Sequence, residues 1–168
     1  MSFVAFEEAI KSPALKQVAR HWNAMRGDRA MPGWSDIQPT QIAKQLSIIW
    51  SYRYDRETDA FIGRLAGDQI EHIFGKTLRG TPMTELYPVK EYPKMSARFR
   101  RVVTEPVLYL EDGKVFQLVD RYGYGERIVM PLSSNGVLGD GIFGATAYET
   151  FLDTHAIPHP DSEQWFAL

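Results

Sequence analysis

The apolar positions of the chain change their period from one segment to the next. Leu15, Val18, Ala19, Trp22 and Met25 recur at helical spacing, with Lys16, Gln17, Arg20 and Asn23 outside the stripe. Ser12-Pro13 supplies a capping hydroxyl and a first-turn proline, and Gly27 a stop, so the spacing predicts a helix over 13–26. Residues 27–38 read as a loop and 39–46 as a short helix. The β-rich runs 47–54 and 60–66 flank the 55–59 turn and predict a hairpin. Asp68 and Glu71 resemble a capping box for a two-turn helix ending at Gly75, and 83–87 reads as one helical turn. Tyr92, Met95, Phe99 and Val102 restore the helical period over 89–103, and Pro106 marks the exit.

The last third reads as β. Segments 107–110, 115–119, 128–132 and 142–148 are the candidates, with Asp112-Gly113 and Asn135-Gly136 as turn signals and 122–125 as a loop. Strands, then helices, then strands again predict an α+β domain with an antiparallel sheet. The runs SIIW, IVMPL and IFGATA are apolar on both alternations, so both sheet faces should be covered. The central helices suit one face. The Trp22 stripe of the 13–26 helix needs the other face or a second subunit. The expected division is an N-terminal extension over 1–11, a single domain over 12–150 that includes this flanking helix, and a C-terminal tail over 151–168.

Composition narrows the chemistry. At 168 residues the chain suits one domain with its own core. It has no cysteine, which removes disulfides, Cys-ligated metal centres and thiol nucleophiles. Nineteen Lys and Arg against 21 Asp and Glu give a net charge of −2, so nucleic-acid binding through bulk charge is not expected. No basic leader precedes an apolar run near the N-terminus, and no run approaches the ~20 apolar residues of a membrane span. A cytoplasmic location without membrane association is the expectation.

Several fragments, spread over residues 20–149, share one pattern. They are Trp22 with Met25-Arg26; Met31-Pro32 followed by Asp36-Ile37-Gln38-Pro39; Arg64-Leu65-Ala66-Gly67; Gly75 with Leu78, Gly80 and Glu85-Leu86; and Pro131-Leu132 with Asp140 and Gly144. In this order they resemble the PAS domain superfamily, and within it the compact bacterial proteins in which the PAS fold is almost the whole chain. Gln38 stands where that pattern commonly has an acid, and Asp68 where it commonly has Thr. The resemblance implies a five-stranded antiparallel sheet with short central helices on one face and an N-terminal flanking helix. It implies sensing, ligand binding or protein–protein interaction in bacterial signalling, without catalysis.

The residues test what such a fold could carry. Without cysteine, a thiol-linked flavin or chromophore is excluded. The long helix offers no axial histidine, and His72 reads as an exposed or hydrogen-bonded residue, so haem is not expected. His155 and His159 with Asp153 and Asp161 straddle Pro158 and read as a solvated tail, so no metal is expected. Enzyme motifs such as G-x-S-x-G or a P-loop are missing. The enzymatic alternative is a small cone-shaped isomerase, with an acid/base pair drawn from Tyr52, Tyr54, Asp68 and His72.

Candidates to line a pocket between sheet and helices are Trp50, Tyr52, Arg64, Phe74, Met83, Met95, Phe99 and Met130. Arg64 interrupts an apolar strand and could meet a ligand carboxylate, or simply pair with Asp68. Lys90, Lys94, Arg98 and Arg101 follow one side of the long helix: a solvated face on the plain reading, a docking surface for an acidic partner segment on the functional one. Leu15, Val18, Trp22 and Met25 are the candidate homodimer stripe. With no output domain following the PAS-like region, a signal is expected to leave by contact with a partner protein or by dimerisation. A pure interaction module without ligand is the other alternative.

Overall fold

The computed structural model describes residues 2–117, 122–151 and 160–168. Two helices lead, α1 (Ser2–Ala9) and α2 (Pro13–Arg26), followed by 3-10 turns at Trp34–Asp36 and Pro39–Ile48. The hairpin of β1 (Ile49–Asp55) and β2 (Ala60–Ala66) leads into α3 (Asp68–Phe74), a 3-10 turn at Met83–Glu85 and α4 (Tyr92–Thr104). Strands β3 (Val107–Gln117), β4 (Tyr122–Leu132), β5 (Gly141–Phe151) and β6 (Ser162–Ala167) close the chain. All pairs are antiparallel, in the order β2-β1-β5-β4-β3-β6.

The sheet separates two apolar layers, as its doubly apolar strands require. On one face Trp50, Tyr52, Val129 and Ile142 meet Ile70, Met83 and Phe99 from the central helices. On the other, Leu108, Ile128, Met130 and Phe143 meet Phe6, Leu15 and Trp22 from α1 and α2. Helix α2 begins where the sequence placed it: the Leu15 amide donates to the Ser12 hydroxyl at 3.4 Å, with Pro13 in the first turn. Glu126 of β4 accepts from the Lys11 and Ser12 amides at 2.9 and 2.6 Å, tying this helix start to the sheet. Trp22 is fully buried, and its indole N–H donates to the Pro131 carbonyl at 2.9 Å.

That placement corrects the dimer stripe. Leu15, Val18 and Trp22 are buried under their own sheet, and only Met25 at the helix end stays partly exposed. Each such side chain stabilises the monomer by about 1.5–3 kcal/mol through burial. Turning the stripe toward a second subunit would forfeit that.

The ends of the chain also differ from expectation. Residues 1–11 contain α1, whose Phe6 ring is buried and meets Phe166 of β6 edge-on at 5.4 Å. Within the expected tail, β6 pairs with β3 from Val107↔Ala167 to Asp112↔Ser162, making a sixth strand. Asp112-Gly113 is no turn but mid-strand, opposite Glu126-Gly125. Its glycine has another cause: a Cβ at Gly113 would lie 2.3 Å from Oδ1 of Asp161, whose carboxylate accepts from the Lys114 amide at 2.8 Å. Tyr122–Gly125 belongs to β4 rather than to a loop. The start of α3 uses no side-chain cap, and Glu71 instead accepts from the Leu78 amide at 3.1 Å. Of the His/Asp tail cluster, Asp153, His155 and His159 lie outside the described residues.

Candidate ligand-binding site

The centre of the sheet face beneath α4 is filled. Trp50 stacks on Phe99 with centroids 5.3 Å apart, and Tyr52 and Phe61 each approach Phe99 at 5.9 Å. Gly144 makes room for this cluster, because the Trp50 indole crosses β5 where a Cβ would stand 2.3 Å from it. The indole N–H donates to Thr146 Oγ1 at 2.9 Å. Met83 is buried in the same layer.

Open space lies to one side, toward β3. A cavity of about 840 Å³ runs between the end of α3, the turn before α4, the first turns of α4 and the β3 strand. Ile73, Phe74, Leu86, Met95, Val115 and Phe116 give it apolar walls. Phe74 meets Tyr87 at 5.4 Å and Phe116 at 5.6 Å, both edge-on. Lys90, Glu91, Lys94, Arg98, Glu111, Lys114, Gln117 and Asp161 supply polar groups.

A charge network, buried at Arg127 and Glu111 and open to solvent at Glu163, reaches the cavity through Arg98 and Glu111. Arg127 on β4 points to the same side as Val129 and is 1% exposed. It donates to Glu111 Oε2 at 3.1 Å, to Thr146 Oγ1 at 3.4 Å and to the Val115 carbonyl, and lies over the Phe116 ring at 4.9 Å. Glu111 shares its other oxygen with Arg98, 3.1 Å away, and Arg98 reaches on to Glu163 of β6 at 2.7 Å. Two arginines and two carboxylates therefore alternate, so each charge has an opposite neighbour, which matters most for Arg127 and Glu111, where an unpaired charge is costly. The Tyr109 hydroxyl donates to Glu163 at 3.2 Å. Burial pushes the phenols of Tyr52, Tyr87 and Tyr109 up, so these rings stay neutral beside the network.

The residues expected to share one pocket divide. Phe74 and Met95 line the cavity. Trp50, Tyr52, Met83 and Phe99 pack in the closed layer beside it. Met130 lies on the opposite sheet face, because the alternation of β4 turns it with Ile128 and Leu132 toward α2. Arg64 is exposed and lies over the Trp34 ring at 4.3 Å; it is not among the cavity's lining residues, and it forms no ion pair with Asp68.

The basic stripe divides too. Lys90 and Lys94 border the cavity mouth, Arg98 is held in the network, and Arg101 pairs with Glu105 and lies over Trp165 at 4.2 Å. Tyr52, Tyr54, Asp68 and His72 are not among the cavity's lining residues, so the proposed acid/base pair is not assembled there. Among the described residues, no group of three or more His, Cys, Asp or Glu is placed to hold a metal.

Sequence reasoning missed Arg127, Glu111 and Glu163. A signal for the first was present: Arg127 interrupts the run from Tyr122 to Leu132 as Arg64 interrupts its own strand. Only the central position of β4 distinguishes the buried arginine from the exposed one on edge strand β2.

A sheet core ordered 2-1-5-4-3, with helices from the second-to-third strand connection over one face, defines a PAS-type α+β module. The family comparison reaches the same class: a model described as PAS domain matches residues 10–147. The chain belongs to the PAS domain family. Neither the curated proteins nor the solved structures give a significant match. The family as a whole comprises sensor and interaction modules that are generally non-catalytic. No helix among the described residues is long and apolar enough to cross a membrane.

Proposed function

We propose that this chain is a non-catalytic sensor and adaptor of bacterial signalling, working in the cytoplasm. A small molecule occupies the cavity beside α4 and β3, and a partner protein reads its presence. The cavity itself carries the reading. Its volume of about 840 Å³ falls in the range of small-molecule sites, and it joins apolar walls to polar groups that can fix a ligand's orientation. Support also comes from what surrounds it. Arg127 holds the lining residue Glu111 from behind, and the Trp50–Phe99 layer packs beside the cavity, so its walls are braced by packed side chains. Self-association, if it accompanies signalling, needs a surface other than the buried stripe of α2.

The test is native mass spectrometry of the purified protein, followed by a thermal-shift screen of small metabolites. A retained mass, or a saturable rise in Tm that is lost on filling the cavity by Val115→Trp, is the expected result. No retained mass and no saturable shift across the screen would favour an interaction module without ligand.

A further inference from the structure

Arg98 faces two ways. It lines the cavity, and it also clamps β6 to the domain. Its side chain is 12% exposed, and its two terminal nitrogens have unlike partners. Glu111, on the first, is 8% exposed and is bound from behind by Arg127. Glu163, on the second, is 45% exposed and comes from edge strand β6. The first partner is fixed and the second is exchangeable. An incoming carboxylate can take the same N–H donor without leaving a buried charge unpaired, since Glu163 has solvent to turn to.

On balance the cavity mouth favours such a visitor, with four cations in the lining against the carboxylates of Glu91, Glu111 and Asp161. Lys90 and Lys94 border it and have no ion-pair partner among the described residues. Lys114 adds a third cation, lying over the Tyr122 ring at 5.2 Å. Behind them, Phe74, Met95 and Phe116 offer an apolar surface for the remainder of the ligand.

Resting on the reading of this cavity as a ligand site, we infer that its ligand is an amphipathic carboxylate whose headgroup replaces Glu163 on Arg98. Displacement removes one of the ties at the start of β6, while Asp161 still accepts from the Lys114 amide at 2.8 Å and Trp165 still lies against Tyr109 at 4.5 Å. Occupancy is thereby reported as loosening at 162–164, at the sheet edge where a partner can read it.

The experiment uses the full chain and three probes of one tail length: octanoate, octanol and octylammonium. Binding is followed by calorimetry and by amide hydrogen exchange. Octanoate should bind about tenfold or more tightly than octanol, as a charge-assisted contact to arginine implies. Amide exchange at 162–164 should rise with octanoate alone. Glu163→Gln removes the competing carboxylate and should tighten octanoate by roughly three- to tenfold while leaving octanol unchanged. Arg98→Gln should abolish the preference. Should that variant fail to fold, Arg98→Lys, which keeps the charge and loses the fork, should reduce it. Equal binding of the three probes, or a preference for octylammonium, overturns the carboxylate assignment and leaves the ligand site standing. Octanoate binding without increased exchange at 162–164 overturns the displacement. Failure of all three probes to bind counts against the site itself.

Discussion

Removing Glu111 should damage this protein more than removing Arg127, although the two form one ion pair. Glu111→Met leaves Arg127, 1% exposed, with the Thr146 hydroxyl, the Val115 carbonyl and the weakly accepting Met95 sulfur as partners and no anion. Breaking a buried pair in this way costs about 3–5 kcal/mol. Arg127→Met is different, because Glu111 keeps Arg98 at 3.1 Å and is not stranded. Its loss should be about 1–2 kcal/mol, the range of an ordinary buried substitution. The double variant should come close to Arg127→Met alone, since it removes both buried charges and leaves Arg98 paired with Glu163 at 2.7 Å. Urea unfolding with an unchanged slope measures all three. In a chain of this size 1 kcal/mol moves Tm by about 2–4 °C, so Glu111→Met should lower it by roughly 10 °C. Equal losses for the two single variants, with an additive double, would refute the shared-carboxylate account.

Two further expectations test other parts of the structure. Gly144→Ala drives a methyl into the Trp50 indole, 2.3 Å from the nearest ring atom, and should cost about 1–3 kcal/mol with altered near-ultraviolet circular dichroism from Trp50; an unchanged Tm would mean that the indole does not cross β5. The His21 imidazole, whose Nε2 accepts from the Gln38 amide at 3.0 Å, is pushed below its usual 6.5 by burial, opposed by a hydrogen bond with Gln41. The folded state thus favours the neutral ring, so this stabilisation is complete above pH 6.5 and is lost as pH falls below it. The urea midpoint should drop on acidification through that range, and His21→Gln should flatten the drop; an NMR titration placing the imidazole above 6.5 would contradict the sign.

Much of the layer plan was readable from the sequence because it follows from periodicity. The stripe of α2, the β1–β2 hairpin and the doubly apolar late strands each state which surfaces need cover. The errors arose where one local signal has two physical causes. Asp-Gly marks a turn or a close approach, and only the pairing of β6 shows that Gly113 yields to Asp161. A stripe containing Trp22 serves a sheet or a partner equally well until the sheet's free face is known. The site was less legible. Phe74 and Met95 line the cavity, but Trp50, Tyr52 and Phe99 are ring partners of one another, and alternation alone does not tell packed from open. The Arg127–Glu111–Arg98–Glu163 chain joins three strands and a helix, and no spacing in the sequence announces it.

The claim that the ligand enters beside α4 and β3, and not the centre of the sheet, can be tested by labelling the methionine methyls. Met95 lines the cavity, Met83 sits in the closed layer, and Met130 lies on the far face. Titration with a ligand that raises Tm should shift the Met95 methyl resonance saturably and leave that of Met130 in place, with Met83 moving little. Saturable movement of Met130 or Met83 with Met95 unmoved would contradict the account.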